Sequence, residues 1–227
     1  MKSESSIISF VQNFPVSASL KTADTGQYIV NNAHNSRQFG IEDPKDIEGL
    51  TIKDIRFRAT EWGKLYANSI AEHDFLANEN RTSVTRRNRF LDDSGDAQME
   101  EMTKLPIMGT SGNVLGIATF RRDITRTLPP ISVYQLNRNF YTVTDAIERT
   151  MIFLGINEYF ILAPSEAQFR VFLLKAERFT NKEISRALRI SDRTVECHCA
   201  AVRNKVAEGS FAAALSATNR RSEYGAK

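Results

Sequence analysis

The stretch Phe179-Thr180-Asn181-Lys182-Glu183-Ile184-Ser185, followed by Ile190-Ser191-Asp192-Arg193-Thr194-Val195-Glu196-Cys197-His198, decides how this chain reads. Thr180 to Glu183 is a T-x-x-E capping box, in which hydroxyl and carboxylate satisfy each other's backbone donors, so a helix opens there. Ile184, Ala187 and Leu188 form its inward side. The tight connection Arg189-Ile190-Ser191 leads into another helix beginning near Asp192. Two short helices joined by so short a turn form a helix-turn-helix. In the later helix Val195, Cys199, Val202 and Val206 recur at helical spacing and form the buried stripe. Arg193, Glu196, Cys197, Ala200, Arg203 and Asn204 fall opposite, where a recognition helix meets the major groove. Lys182, near the start of the first of the two helices, stands where backbone N–H groups and a cation hold a phosphate. Upstream, Ser165 after Pro164 caps a helix whose apolar face is Phe169, Phe172, Leu173 and Ala176.

Charge agrees with that reading. Residues 161–227 carry 12 Lys and Arg against 7 Asp and Glu, whereas the preceding 160 residues carry 18 against 20. A basic C-terminal third behind a near-neutral body points to a polyanion as partner. The chain has 227 residues, 41% hydrophobic and 25% charged, which suits one large or two small globular domains. Collagen, a disordered tail and a disulfide mini-protein are excluded. No window approaches the ~18 apolar residues of a membrane helix. The opening MKSESSIISFVQNF lacks the apolar core and cleavage site of a secretory signal. Only Cys197 and Cys199 are present, so no disulfide framework is expected. A reduced, cytoplasmic protein without a membrane partner follows.

The C-terminal segment resembles the LuxR-type (GerE-type) helix-turn-helix of bacterial transcription regulators. The likeness rests on Leu162-Ala163-Pro164-Ser165-Glu166, on the Asn-Lys-Glu-Ile block and on the Ser-x-x-Thr-Val-x-x-His block. It implies a DNA-binding domain over 161–218 with double-stranded DNA as partner. Lys182 and Thr194 would anchor phosphates, and Glu196, Cys197 and Ala200 would read bases. With Arg193 and Arg203 these complete the expected DNA-binding set. The family often has glycine before its first block and in the recognition turn, where this chain has Arg178 and Arg189. If those positions need positive φ, an L-residue costs roughly 1 kcal/mol, and arginine adds phosphate contacts in exchange. Residues 211–217 match the family's dimerisation helix loosely, and 219–227 read as a polar tail.

Outward from this segment, the first 125 residues alternate β-prone runs with turns. Val16 and Leu20 bound one strand, Asp24-Thr25-Gly26 turns, and Tyr28-Ile29-Val30 starts a second. A short helix over 32–39 ends at Gly40, and Trp62, Leu65, Tyr66, Ile70 and Phe75 mark a longer one. Strands follow over 83–91, 97–108 and 114–122, the last two joined by the turn at 109–113. Five antiparallel strands with helices on one face give an α+β class. The residues resemble a PAS domain: Asn13-Phe14-Pro15-Val16, the run 24–33, Glu48-Gly49-Leu50-Thr51, and above all the closing hairpin that ends Arg122-Asp123-Ile124-Thr125. The likeness spans 7–127 and implies a sensor domain. No cofactor is expected, and an unidentified small-molecule ligand is compatible with the resemblance.

Pro129-Pro130 separates the two parts. Val133, Leu136, Phe140, Val143 and Ile147 then form a heptad-spaced seam on one helix over 131–157, ended by Gly155. It either packs on its own sheet or pairs two protomers.

Other constellations read as structural. Cys197 and Cys199 project about 200° apart on a helix and cannot share one tetrahedral metal ion. His34 and His73 are lone histidines. No cysteine stands in the first 196 residues for flavin photochemistry. Asp92-Asp93-Ser94-Gly95-Asp96 lacks the alternating ligands and terminal Glu of a calcium loop. G-x-S-x-G, H-E-x-x-H and G-x-G-x-x-G are absent, so no enzyme is expected. The sequence therefore predicts a homodimeric DNA-binding regulator controlled by a PAS-like sensor. The alternative is a signalling protein whose divergent helix-turn-helix docks onto another protein.

Overall fold

Strand alternation organises the first half of the chain. A computed structural model describes residues 2–224, with side chains described from Ser6 to Asn219. The chain divides into two compact units, Met1–Asp123 and Ile124–Lys227.

The first unit contains α1 (Lys2–Gln12), β1 (Ser17–Thr22), β2 (Tyr28–Asn31), α2 (Ala33–Gln38), α3 (Thr60–Asn80), β3 (Val84–Leu91), β4 (Ala97–Met108) and β5 (Val114–Asp123). The strands form one antiparallel sheet in the order β2-β1-β5-β4-β3. Leu20 lies opposite Ala118, and Thr103 opposite Phe120. Successive side chains point to opposite faces. On one face Ala18, Leu20, Val30 and Ala118 pack with Val11 of α1, with Ile7 and Ile8 at the margin. On the other, Tyr28, Phe90 and Met102 meet Tyr66, Ala67 and Ile70 of α3. Helices therefore cover both faces. The expectation of one covered face fails because Ala18 and Leu20 are apolar on the side away from α3. This five-stranded antiparallel sheet with laid-on helices is PAS-like. Within α3, Gly63 is required by packing, because a Cβ there would overlap Phe57.

The second unit contains α4 (Pro130–Arg138), α5 (Val143–Leu154), α6 (Glu166–Ala176), α7 (Asn181–Leu188), α8 (Asp192–Arg203) and α9 (Phe211–Tyr224). The single helix expected over 131–157 is two. Thr142 caps α5, its Oγ1 accepting from the Asp145 N–H at 3.3 Å, and Gly155 ends it at φ 66°. Asn137 Nδ2 donates across the pair to Thr150 Oγ1 at 3.2 Å. The seam residues do not share one helix. Instead Tyr134, Ile147, Met151 and Leu154 join Phe169, Phe172 and Leu173 of α6, Val202 of α8 and Ala214 of α9 in one core. The segment read as a connector is part of the helical unit's own interior.

Candidate nucleic-acid interface and charged sheet interior

Local chemistry builds α6, α7 and α8 as the sequence indicates. Ser165 and Gln168 form a capping box at the start of α6. At α7, Thr180 Oγ1 accepts from the Glu183 N–H at 3.3 Å, and Glu183 Oε2 accepts from the Thr180 N–H at 2.8 Å and its hydroxyl at 2.7 Å. These bonds hold the Glu183 carboxyl below the usual carboxylate range. Ser191 caps α8, accepting from the Thr194 N–H at 3.0 Å. Val171, Leu174, Ile184 and Val195 are buried together and fix α7 against α6 and α8.

Lys182 is exposed in the first turn of α7. Along α8, Arg193, Glu196, Cys197, Ala200 and Arg203 are exposed, while Thr194 is half-buried and its hydroxyl lies 2.7 Å from Ser191 Oγ. Arg203 closes α8 with its guanidinium over the Phe211 ring at 5.1 Å, away from the helix's N-terminal end. Val195, Val202 and Val206 are buried as the stripe requires, and Cys199 is half-buried, its thiol pushed up by burial. Ala187, expected inward, is exposed. Both glycine-type positions adopt left-handed backbone, with Arg178 at φ 67° and Arg189 at φ 55°.

A second constellation lies inside the sheet unit. The Arg121 guanidinium donates to Tyr66 Oη at 3.0 Å, to Glu100 Oε2 at 3.3 Å and to Asn35 Oδ1. It also lies 4.6 Å from the Phe39 ring centroid. Lys21 Nζ and Lys104 Nζ share Asp74, at 2.8 Å to Oδ2 and 2.6 Å to Oδ1. All three cations are buried, against two carboxylates. Burial, aided by neighbouring Lys21, lowers the Lys104 ammonium to about 8. Burial pushes the Asp74 carboxyl up, but Lys104 and Lys21 outweigh it and hold it low. Burial and Lys104 lower His73 to about 4. A cavity of about 10 Å³ remains among Lys21, Tyr28, Asn35, Tyr66, Lys104 and Arg121. Outside, a cleft of about 250 Å³ is lined by Asp74, Thr25 and Lys53 among others.

Sequence reasoning missed this network. Ser19 and Lys21, Glu100 and Lys104, and Thr119 and Arg121 alternate as a solvent-facing side would, and nothing local shows that α2 and α3 cover them. Among the described residues no group of three or more His, Cys, Asp or Glu is placed to hold a metal ion. No helix among the described residues is long and apolar enough to cross a membrane.

No curated protein matches the chain significantly. Among solved structures, Vibrio cholerae VqmA in a ligand–DNA complex is similar in fold, with TM-score 0.59, 19% identity, and 97% of this chain and 88% of that chain covered. The phage VqmA–DPO complex gives TM-score 0.59, 22% identity, and 98% and 89% coverage. The sequence profile of the family described as bacterial regulatory proteins, luxR family (GerE), matches residues 165–215. The chain thus carries, behind a PAS-like sheet, a helix-turn-helix domain of the bacterial luxR family.

Proposed function

We propose that the protein is a cytoplasmic transcription regulator that binds double-stranded DNA as a homodimer through α7 and α8. The observation that carries this reading is the exposed outer face of α8, set on a capped helix-turn-helix within the segment that matches the luxR family. Arg193 and Thr194, in the first turn of α8, and Lys182, in the first turn of α7, take phosphates. Glu196 offers an acceptor that suits a cytosine amino group, and Cys197 and Ala200 leave room for bases. The chemistry is binding, not catalysis.

In this reading the sheet unit is the sensor. A small polar molecule that forces open the cavity of about 10 Å³ among Arg121, Lys104, Tyr66 and Asn35, which otherwise has room for about one water, shifts the unit between states and alters presentation of the DNA-binding modules. The buried polar lining supports this, as do the names of the similar structures, which include a ligand, DPO and DNA. Lys182→Ala with Arg193→Ala tests the interface. The double variant is expected to lose affinity for all duplex sequences alike in a mobility-shift titration, with a shallower salt dependence. Wild-type affinity at moderate salt in the folded variant would remove α7 and α8 as the docking face and favour a protein partner.

A further inference from the structure

The two ends of the helix-turn-helix repeat one pattern. Arg178-Phe179-Thr180-Asn181-Lys182 and Arg189-Ile190-Ser191-Asp192-Arg193 each read arginine, apolar residue, hydroxyl, polar residue, cation. The structures repeat as well. Each leading arginine is left-handed, at φ 67° and 55°. Each apolar residue donates its N–H back to the preceding helix, Phe179 to Leu174 O and Ile190 to Ser185 O, both at 3.1 Å. Each hydroxyl caps the next helix. Each closing cation is exposed in the first turn of the next helix, and each leading arginine is exposed at the end of the preceding one.

We propose that these are two copies of one phosphate-binding cassette, with Arg178 and Arg189 as DNA-contacting residues alongside Lys182 and Arg193. This rests on the DNA-binding reading above and extends it to two residues outside the expected set. Among the described residues none of the four cations pairs with a carboxylate. Of the acids flanking the first cassette, Glu183 is held by Thr180 and Glu177 accepts from the Ile131 N–H. Asp192 lies within the second, and leaves that patch a net positive charge. Left-handed backbone alone does not mark the site, because Arg81 also has φ 52° at the end of α3. Arg81 leads into a strand rather than a helix, and the fifth position of the pattern is Thr85, not a cation. What distinguishes Arg178 and Arg189 is that each stands in a repeat with a partner cation on the helix-turn-helix. Four exposed positive side chains thus stand at the two helix starts from which a helix-turn-helix meets phosphates.

Glycine separates the two possible roles, since it relieves left-handed strain while removing the cation. The test uses the full chain with a mixed-sequence duplex DNA and compares Arg178→Gly, Arg189→Gly and Arg81→Gly. All three variants are expected to keep or raise the thermal midpoint. Arg178→Gly and Arg189→Gly should each flatten the slope of log affinity against log salt by about one, and weaken binding about eightfold at 0.1 M salt. Arg81→Gly should leave both unchanged. An unchanged slope in Arg178→Gly and Arg189→Gly, with salt-dependent binding by the wild type, would overturn the cassette and spare the DNA-binding reading. A wild type that shows no salt-dependent duplex binding would overturn that reading itself, and the cassette with it.

Discussion

Asp74 is the residue on which the charged interior of the sheet unit balances. It is the one carboxylate shared by Lys21 and Lys104, at 2.8 and 2.6 Å. Removing it leaves two buried ammonium groups unpaired, whereas removing Lys104 leaves a balanced Lys21–Asp74 pair. Breaking a buried pair from one side costs about 3–5 kcal/mol. Asp74→Asn is therefore expected to destabilise the sheet unit by that order in denaturant unfolding, and Lys104→Met by much less. Equal losses in the two variants would contradict the assignment. Linkage supplies a second readout. A lysine held at about 8 in the folded state, below its ordinary 10.5, is protonated more readily in the unfolded chain. Its unfavourable contribution is full below about 8 and is relieved as pH rises toward 10.5. The stability of the wild type relative to Lys104→Met should rise between those values. A difference that is flat with pH would mean that Lys104 titrates as an ordinary lysine.

At the scale of elements, the caps and turns were legible and the interruption between α4 and α5 was not. Thr180, Ser191 and Ser165 announce their helices through hydroxyls spaced to reach the third backbone N–H, a local signal that distant packing does not alter. The strands at 83–91, 97–108 and 114–122 fall within a residue of β3, β4 and β5. Val133, Leu136, Phe140, Val143 and Ile147 misled because a short irregular stretch between Arg138 and Val143 preserves the heptad count while reversing the chain. The cap Thr142 and its partner Asp145 carried the contrary signal. Leu136 is 2% exposed. Leu136→Asp should therefore unfold the helical unit of the full chain, seen as loss of helical circular dichroism and a lowered thermal midpoint. A folded variant that merely dissociates into monomers would instead return α4 to the role of a pairing helix. The exposed face of α8 was readable for the same reason as the caps, since a buried stripe of Val195, Val202 and Val206 determines its own opposite side. The charged interior was not, because burial of Lys21, Lys104 and Arg121 depends on helices far away in sequence.

At the scale of the molecule, the two units differ in where their charge lies. The basic excess is confined to residues 161–227, and the sheet unit buries Lys21, Glu100, Lys104 and Arg121. In the proposed function, exposed cations around α7 and α8 attract a polyanion at long range, and the α8 side chains discriminate among bases at short range. A dimer places two such modules on two half-sites, so the preferred DNA should have two-fold symmetry. The most direct measurement is selection of duplex DNA by the purified full chain from a genomic library, followed by a salt titration on whatever is enriched. The account predicts one palindromic motif whose affinity falls steeply as salt rises. A folded chain that enriches no sequence and binds no duplex at low salt would contradict it.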